Sequence, residues 1–170
     1  MKIIKNFLPK DFNKHLEKKL LSNVFPWYFH PSSVRSPYKE DKQFVFYHEF
    51  ITDRKINSEW WPVIKPLADK IKSVYPKIEI LRIKANLYTN QKKSIKFGKH
   101  IDNRFEPKFW SSIYYVNSNN GKTHIGKKVV SSVANSIVVF DGKTPHYGMV
   151  QTDTPVRLLI NVIFKTIDIY

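Results

Sequence analysis

His100 and Asp102 stand two residues apart in a stretch where apolar and polar residues alternate. In a strand, side chains repeat every two residues, so both would leave the chain on one face. His146 follows Pro145 at the start of a later predicted strand, 44 residues on. In a jelly roll that strand can lie beside the first. Two imidazoles and one carboxylate would then meet on one side of a metal ion. Such a facial triad leaves coordination positions open and suits a non-haem Fe(II) oxygenase. A His-x-Asp pair on a strand is equally compatible with an ordinary hydrogen-bonded pair. Arg157 adds a second signal, because it lies in Pro155-Val-Arg-Leu-Leu-Ile-Asn-Val-Ile-Phe164, a run apolar enough for a core strand. A buried guanidinium needs an anionic partner. A dicarboxylate ligand gripped by a bidentate fork would supply one, and so would an intraprotein salt bridge.

These residues need a scaffold, and the pattern predicts an α-rich first half and a β-rich second half. A helix starts near Pro9, with Asp11 as cap and Phe12, Leu16, Leu20 and Leu21 on one face. Residues 26–29 and 43–50 read as strands, and the polar stretch 31–42 as a loop. A second helix is capped by Ser58 and runs to about Tyr75. Pro62 fits its first turn, and Pro66 is expected to bend it. Strands are predicted near 78–89, 95–102, 109–117, 123–130, 136–141, 145–150 and 155–166, with a turn at Asn117–Gly121. The expectation is one α+β, mainly β domain over 1–170: a helical support region with edge strands (1–77) and a jelly-roll core (78–170), a double-stranded β-helix of the cupin-like kind.

Composition narrows the function classes. The chain of 170 residues has no cysteine, which excludes disulfides, zinc fingers, iron–sulfur clusters and thiol catalysis. No apolar run is long enough for a membrane span, and the start lacks the apolar stretch of a signal peptide, so a cytoplasmic protein is expected. The net charge is +15. Such a balance points to nucleic acid, anionic membrane or acidic protein, while the lysine, isoleucine and asparagine content also matches an A/T-rich coding sequence. Lys92, Lys93, Lys96 and Lys99 precede the metal motif, and Arg104 and Lys108 follow it. At a pocket mouth they would steer an anionic substrate.

Asn86-Leu-Tyr88, His100-Ile-Asp-Asn103, Ile113-Tyr-Tyr-Val-Asn117, Val139-Phe-Asp-Gly-Lys-Thr-Pro-His146 and Arg157 occur in the order seen in Fe(II)/2-oxoglutarate-dependent dioxygenases. Over residues 80–166 the chain most resembles the prolyl 4-hydroxylase type, and small members of this kind are common in bacteriophages. The resemblance implies that His100, Asp102 and His146 bind Fe(II) and that Arg157 holds the distal carboxylate of 2-oxoglutarate. It implies that Tyr115 assists that arginine, with a core aromatic as the other reading. Tyr88 and Asn86 would lie near the metal-bound end of the cosubstrate or near the substrate. Asn161 shares the Arg157 face. The family's Gly-Gly-x-Leu stretch is reduced here to Asn120-Gly-Lys-Thr-His-Ile125, which leaves open whether Thr123 or Ile125 lines the pocket. The implied activity consumes 2-oxoglutarate and O2, releases succinate and CO2, and hydroxylates a substrate, peptidyl proline first by resemblance. A protein, nucleic acid or small molecule is equally open on the residues. Two alternatives remain at this stage: a basic nucleic-acid-binding module with Trp60, Trp61 and Trp110 among its lysines, and a cupin-type metal-binding protein that turns over no oxoglutarate. His15, His30, His48 and His124 read as surface or structural residues, with His48 to be checked against the site.

Overall fold

The structure, a computed structural model, describes residues 1–33, 43–102 and 108–167. Asn103 and Arg104 lie outside the described residues, as does most of the predicted loop 31–42. Strand β1 (Lys2–Lys5) is followed by helix α1 (Lys10–Leu20), strands β2 (Tyr28–His30), β3 (Val45–Thr52) and β4 (Lys55–Ile56), and helix α2 (Trp61–Val74). Seven further strands complete the described chain: β5 (Ile78–Thr89), β6 (Trp110–Tyr115), β7 (Asn119–Ile125), β8 (Lys128–Ser132), β9 (Ser136–Asp141), β10 (His146–Met149) and β11 (Val156–Thr166). Eight strands form one antiparallel sheet in the order β1-β9-β6-β11-β5-β3-β2, with β4 paired to β3. A smaller sheet, β10-β7-β8, faces it. This is the expected double-stranded β-helix with two helices. No described helix is long and apolar enough to cross a membrane.

Alternation along β11 explains the layering. Leu158, Ile160, Val162 and Phe164 join the core formed with Leu16 and Leu20 of α1 and Ile64, Leu67 and Ile71 of α2. The helices therefore cover the outer face of the large sheet. Leu159 points the other way, into a second core between the sheets with Ile113, Tyr115, Ile125, Val130, Val138 and Phe140. Arg157 and Asn161 share that inner side by strand parity. Because β11 is flanked by β5 and β6 and covered on both faces, its sequence reads as nearly continuous apolar residues.

Several local expectations change. The cap of α1 is Pro9, and Asp11 sits in the first turn, where its charge suits the helix dipole. Helix α2 begins at Trp61, with Trp60 at the cap position. The Ser58 hydroxyl instead accepts from the Trp60 amide (3.0 Å) and bonds His48 Nε2 (2.7 Å). The helix contains Pro66 and ends at Val74, with Tyr75 at the cap, as expected. The predicted strand 95–102 makes only isolated bridges, Lys96–Met149 and His100–His146. The predicted strand 123–130 is a hairpin of β7 and β8, turned at Gly126 with φ +57°. Edge strand β1 escaped the sequence reading because Lys-Ile-Ile-Lys has no alternation; it pairs with β9. His48 is opposite Ala85, on the helix-covered face, and its Nδ1 bonds the Pro26 carbonyl at 2.8 Å. Burial pushes its pKa down. It is a structural histidine.

Leu158 is fully buried at the centre of the helix-covered core. Leu158→Ala should cost about 2–5 kcal/mol in a denaturant titration. A loss below about 1 kcal/mol would contradict this packing.

Candidate metal centre and anion pocket

His100 and His146 are directly opposite residues that exchange both backbone hydrogen bonds, at 3.0 and 2.8 Å. Their rings lie 4.4 Å apart. Asp102 reaches the same place from two residues on, where its amide bonds the Gly142 carbonyl at 3.4 Å. One ligand atom each from His100, Asp102 and His146 lies within 4.8 Å of the others. The Asp102 Oδ2 to His146 Nε2 distance is 3.9 Å. Each ring is oriented by its own chain: His100 Nδ1 bonds the Gly98 carbonyl (3.1 Å) and His146 Nδ1 the Thr144 carbonyl (3.0 Å). A carbonyl only accepts, so Nδ1 carries the proton and Nε2 is the ring nitrogen that bears the lone pair.

The carboxylate is held from two sides. Ser111 donates its hydroxyl to Oδ2 at 2.6 Å, and Arg82 Nη2 is 3.5 Å from Oδ1. Burial works against the Asp102 charge, but Arg82, His146, the Ser111 hydrogen bond and His100 outweigh it, and the pKa lies below the ordinary value. Burial, then the neighbouring His146, lowers the His100 pKa. The His100 imidazole and the Asp102 carboxylate are therefore biased toward the neutral and ionised forms that bind a divalent cation.

Arg157 is 1% exposed. Its Nε donates to Ser132 Oγ at 2.9 Å and its Nη2 to Thr123 Oγ1 at 2.8 Å. Tyr115 also donates to Thr123 Oγ1 (2.8 Å), and the rings of Tyr115 and Tyr88 each lie 5.9 Å from the guanidinium carbon. No acidic side chain among the described residues pairs with Arg157. Burial lowers its pKa, the response of a charge held away from water. The intraprotein salt bridge considered from the sequence is thus absent among the described residues. Of the two residues left open by the reduced glycine stretch, Thr123 contacts Arg157. Ile125 joins the apolar core between the sheets. Tyr88 packs on Phe97 (4.6 Å) and stands beside Arg157. Asn86 is buried, opposite Leu159 of β11 and Tyr47 of β3. Asn161 presents a buried Oδ1 with no hydrogen-bond partner among the described residues.

Along its length the chain superposes on solved structures. One is the non-haem alpha-ketoglutarate-dependent epimerase from nogalamycin biosynthesis (TM-score 0.69, 12% identity, covering 96% of this chain and 76% of the other). Another is a prolyl hydroxylase in complex with a hypoxia inducible factor peptide from Trichoplax adhaerens (0.67, 17%, 97% and 83%). A third is a 2OG-Fe(II) oxygenase family oxidoreductase from Burkholderia pseudomallei (0.67, 10%, 96% and 84%). The chain has the 2OG-Fe(II) oxygenase fold. No family model and no curated protein matches its sequence. At such identities the oxygenase fold is carried by backbone geometry and a handful of side chains.

Sequence reasoning missed Arg82, Ser111 and Ser132 in this oxygenase fold. Arg82 was findable by the argument that singled out Arg157, since it too interrupts an apolar strand at the parity of Asn86 and Tyr88. Ser111 shares the parity of Ile113 and Tyr115. Ser132 carried no signal of its own.

Gly121 leaves room for the guanidinium: a Cβ there would sit 2.7 Å from Arg157 Cδ and 2.9 Å from its Nε. Because Arg157 is pinned by Ser132 and Thr123, Gly121→Ala should destabilise the fold by about 1–3 kcal/mol, read by thermal or denaturant unfolding. A stability equal to the parent's would show that Arg157 is not fixed against β7.

Proposed function

We propose that this chain is an Fe(II)- and 2-oxoglutarate-dependent dioxygenase that hydroxylates its substrate. The observation that carries the reading is the pairing of a His-Asp-His cluster with a buried arginine that lacks a carboxylate among the described residues. The residues fit both missing groups. Two neutral nitrogen donors and one carboxylate match the donor set of a non-haem Fe(II) site. A fully buried guanidinium with two of its donors committed to hydroxyls matches one end of a dicarboxylate.

In this reading His100 and His146, through Nε2, and Asp102, through a carboxylate oxygen, hold the iron. Bound there with 2-oxoglutarate and O2, iron supplies oxidative decarboxylation to succinate and CO2 coupled to hydroxylation of a C–H bond. Arg157 neutralises the distal carboxylate, and Ser132 and Thr123 fix the guanidinium in advance. Tyr115 aligns Thr123 by its hydroxyl and, with Tyr88, walls the anion from water. Asn86 lies on the inner face of β5 and Asn161 on that of β11, where each is available to a ligand. The Arg82 and Ser111 contacts keep Asp102 ionised and oriented.

The substrate class is a finer matter. The neighbours differ in what they handle: one is a prolyl hydroxylase in complex with a peptide fragment, another an epimerase of nogalamycin biosynthesis. Peptidyl proline is the first candidate, on the motif resemblance, and a cytoplasmic setting belongs to the same reading.

The experiment is succinate release by the purified chain with Fe(II), ascorbate, 2-oxoglutarate and a panel of peptides. His146→Ala and Asp102→Ala should each lower release about 100-fold or more. Arg157→Ala should raise the KM for 2-oxoglutarate about 30-fold or more, the cost of leaving one buried charge partner alone. Parent-level turnover in the ligand variants, or an unchanged KM in the arginine variant, would overturn the assignment.

A further inference from the structure

The outer face of the small sheet has no part in this chemistry and carries its own pattern. Segment 95–100 bridges onto β10, so four extended segments lie side by side there, with β10 between that segment and β7. Their inward residues serve the site: His146, Thr123, and Gly148 beside Arg157. The outward residues form two rows. Met149, Lys122 and Ser131 are register partners in one row, with Lys96 bridged to Met149. Tyr147, His124 and Val129 form the other. The hairpin turn adds exposed Lys127 and Lys128, and the 92–99 segment adds exposed Lys92, Lys93 and Lys99.

Seven lysines therefore lie on or beside this face. Residues 80–101, 107–140 and 142–152 contain no aspartate or glutamate. Elsewhere lysines are mixed with acids, as in α1, where Lys10, Lys14, Lys18 and Lys19 accompany Asp11 and Glu17. An A/T-rich coding sequence accounts for lysines but not for this segregation of acids.

The rings on the face are already occupied. Tyr147 stacks on His124 at 4.5 Å, 6° from parallel, and Lys96 Nζ sits 4.4 Å over the Tyr147 ring. The two approach from opposite sides of β10, so no base can slide onto that ring. Nor is there an apolar wedge to enter a membrane, beyond the single exposed Val129. What remains among the described residues is an array of ammonium groups on a lattice of strands spaced about 4.8 Å apart, with the Asp153 carboxylate at its edge, held by the Asn120 amide at 2.9 and 3.0 Å. That suits a regular polyanion gripped by its charges.

We propose that this face binds the phosphate backbone of nucleic acid without regard to sequence. The site is separate from the oxygenase centre and does not rest on that reading.

The test is fluorescence anisotropy of a labelled duplex of about 20 base pairs, and of its single strand, titrated with the full chain between about 50 and 300 mM NaCl. Affinity should fall steeply with salt, as expected when counterions are released from several phosphates. The K96Q/K122Q/K127Q/K128Q variant should weaken binding about tenfold or more at the low-salt end and flatten the salt slope by about 3. The K10Q/K14Q/K18Q/K19Q variant removes an equal number of charges, four, from α1 and should stay within about twofold of the parent. His146→Ala should bind as the parent does, which separates this proposal from the catalytic one. Equal losses in the two lysine variants would reduce the effect to net charge and overturn the assignment. So would absence of binding at low salt, or tighter binding to polyglutamate or phosphatidylserine vesicles than to the duplex.

Discussion

The paired backbone hydrogen bonds between His100 and His146 are the constraint on which the site depends. The stretch between β5 and β6 has no ladder of its own among the described residues. It is attached to the small sheet by a few bonds, and this reciprocal pair, at 2.8 and 3.0 Å, is the one nearest the triad. A residue pair that exchanges both bonds has its Cα atoms about 5.5 Å apart, with side chains on a common face. Both imidazoles are thereby brought to one place by main chain alone. Asp102 follows two residues later and is tied to Gly142, whose amide in turn bonds the Phe109 carbonyl at 3.0 Å. A Cβ on Gly142 would fall 1.9 Å from the Phe109 ring. The turn before β10 can close on the segment that carries Asp102 only because that position has no side chain.

The second organising fact is electrostatic. Strand β11 is buried on both faces, yet it carries a cation at its inner start. Hydroxyls of Ser132 and Thr123 and the tyrosine rings soften the cost of removing that charge from water but do not cancel it. At the other end of the pocket the balance is reversed, since Asp102 has Arg82, Ser111 and two imidazoles around it. The inner side is thus polarised, with a cation that no described carboxylate pairs at Arg157 and a carboxylate beside the histidines. A short molecule with a carboxylate at one end and metal-chelating oxygens at the other complements both ends.

Much of this was legible in the sequence. His100, Asp102 and His146 could be assembled from strand parity plus a jelly-roll guess, because alternation survives where one face is buried. Strands β5, β9 and β11 were found within a residue, since long buried strands are the most regular text in the chain. The segment around Lys96 was read as a full strand because its alternation is real; what it lacks is partners, which sequence alone does not reveal. The β7–β8 hairpin was read as one strand because Gly126-Lys127 is a faint turn signal. Arg82 went unnoticed beside Lys84 in a lysine-rich chain, where one more cation draws no attention. Ser132 illustrates the general limit: a serine becomes informative only when its neighbour across the fold is known.

The ring orientation of each histidine is fixed by a carbonyl two residues upstream, Gly98 for one and Thr144 for the other. Long-range pairing decides where the two imidazoles meet, but which nitrogen each presents is settled within a tripeptide. Assembly of the centre therefore separates into a topological step and a local one. Once the sheets have closed, the two local bonds have already set which nitrogen of each ring bears the lone pair.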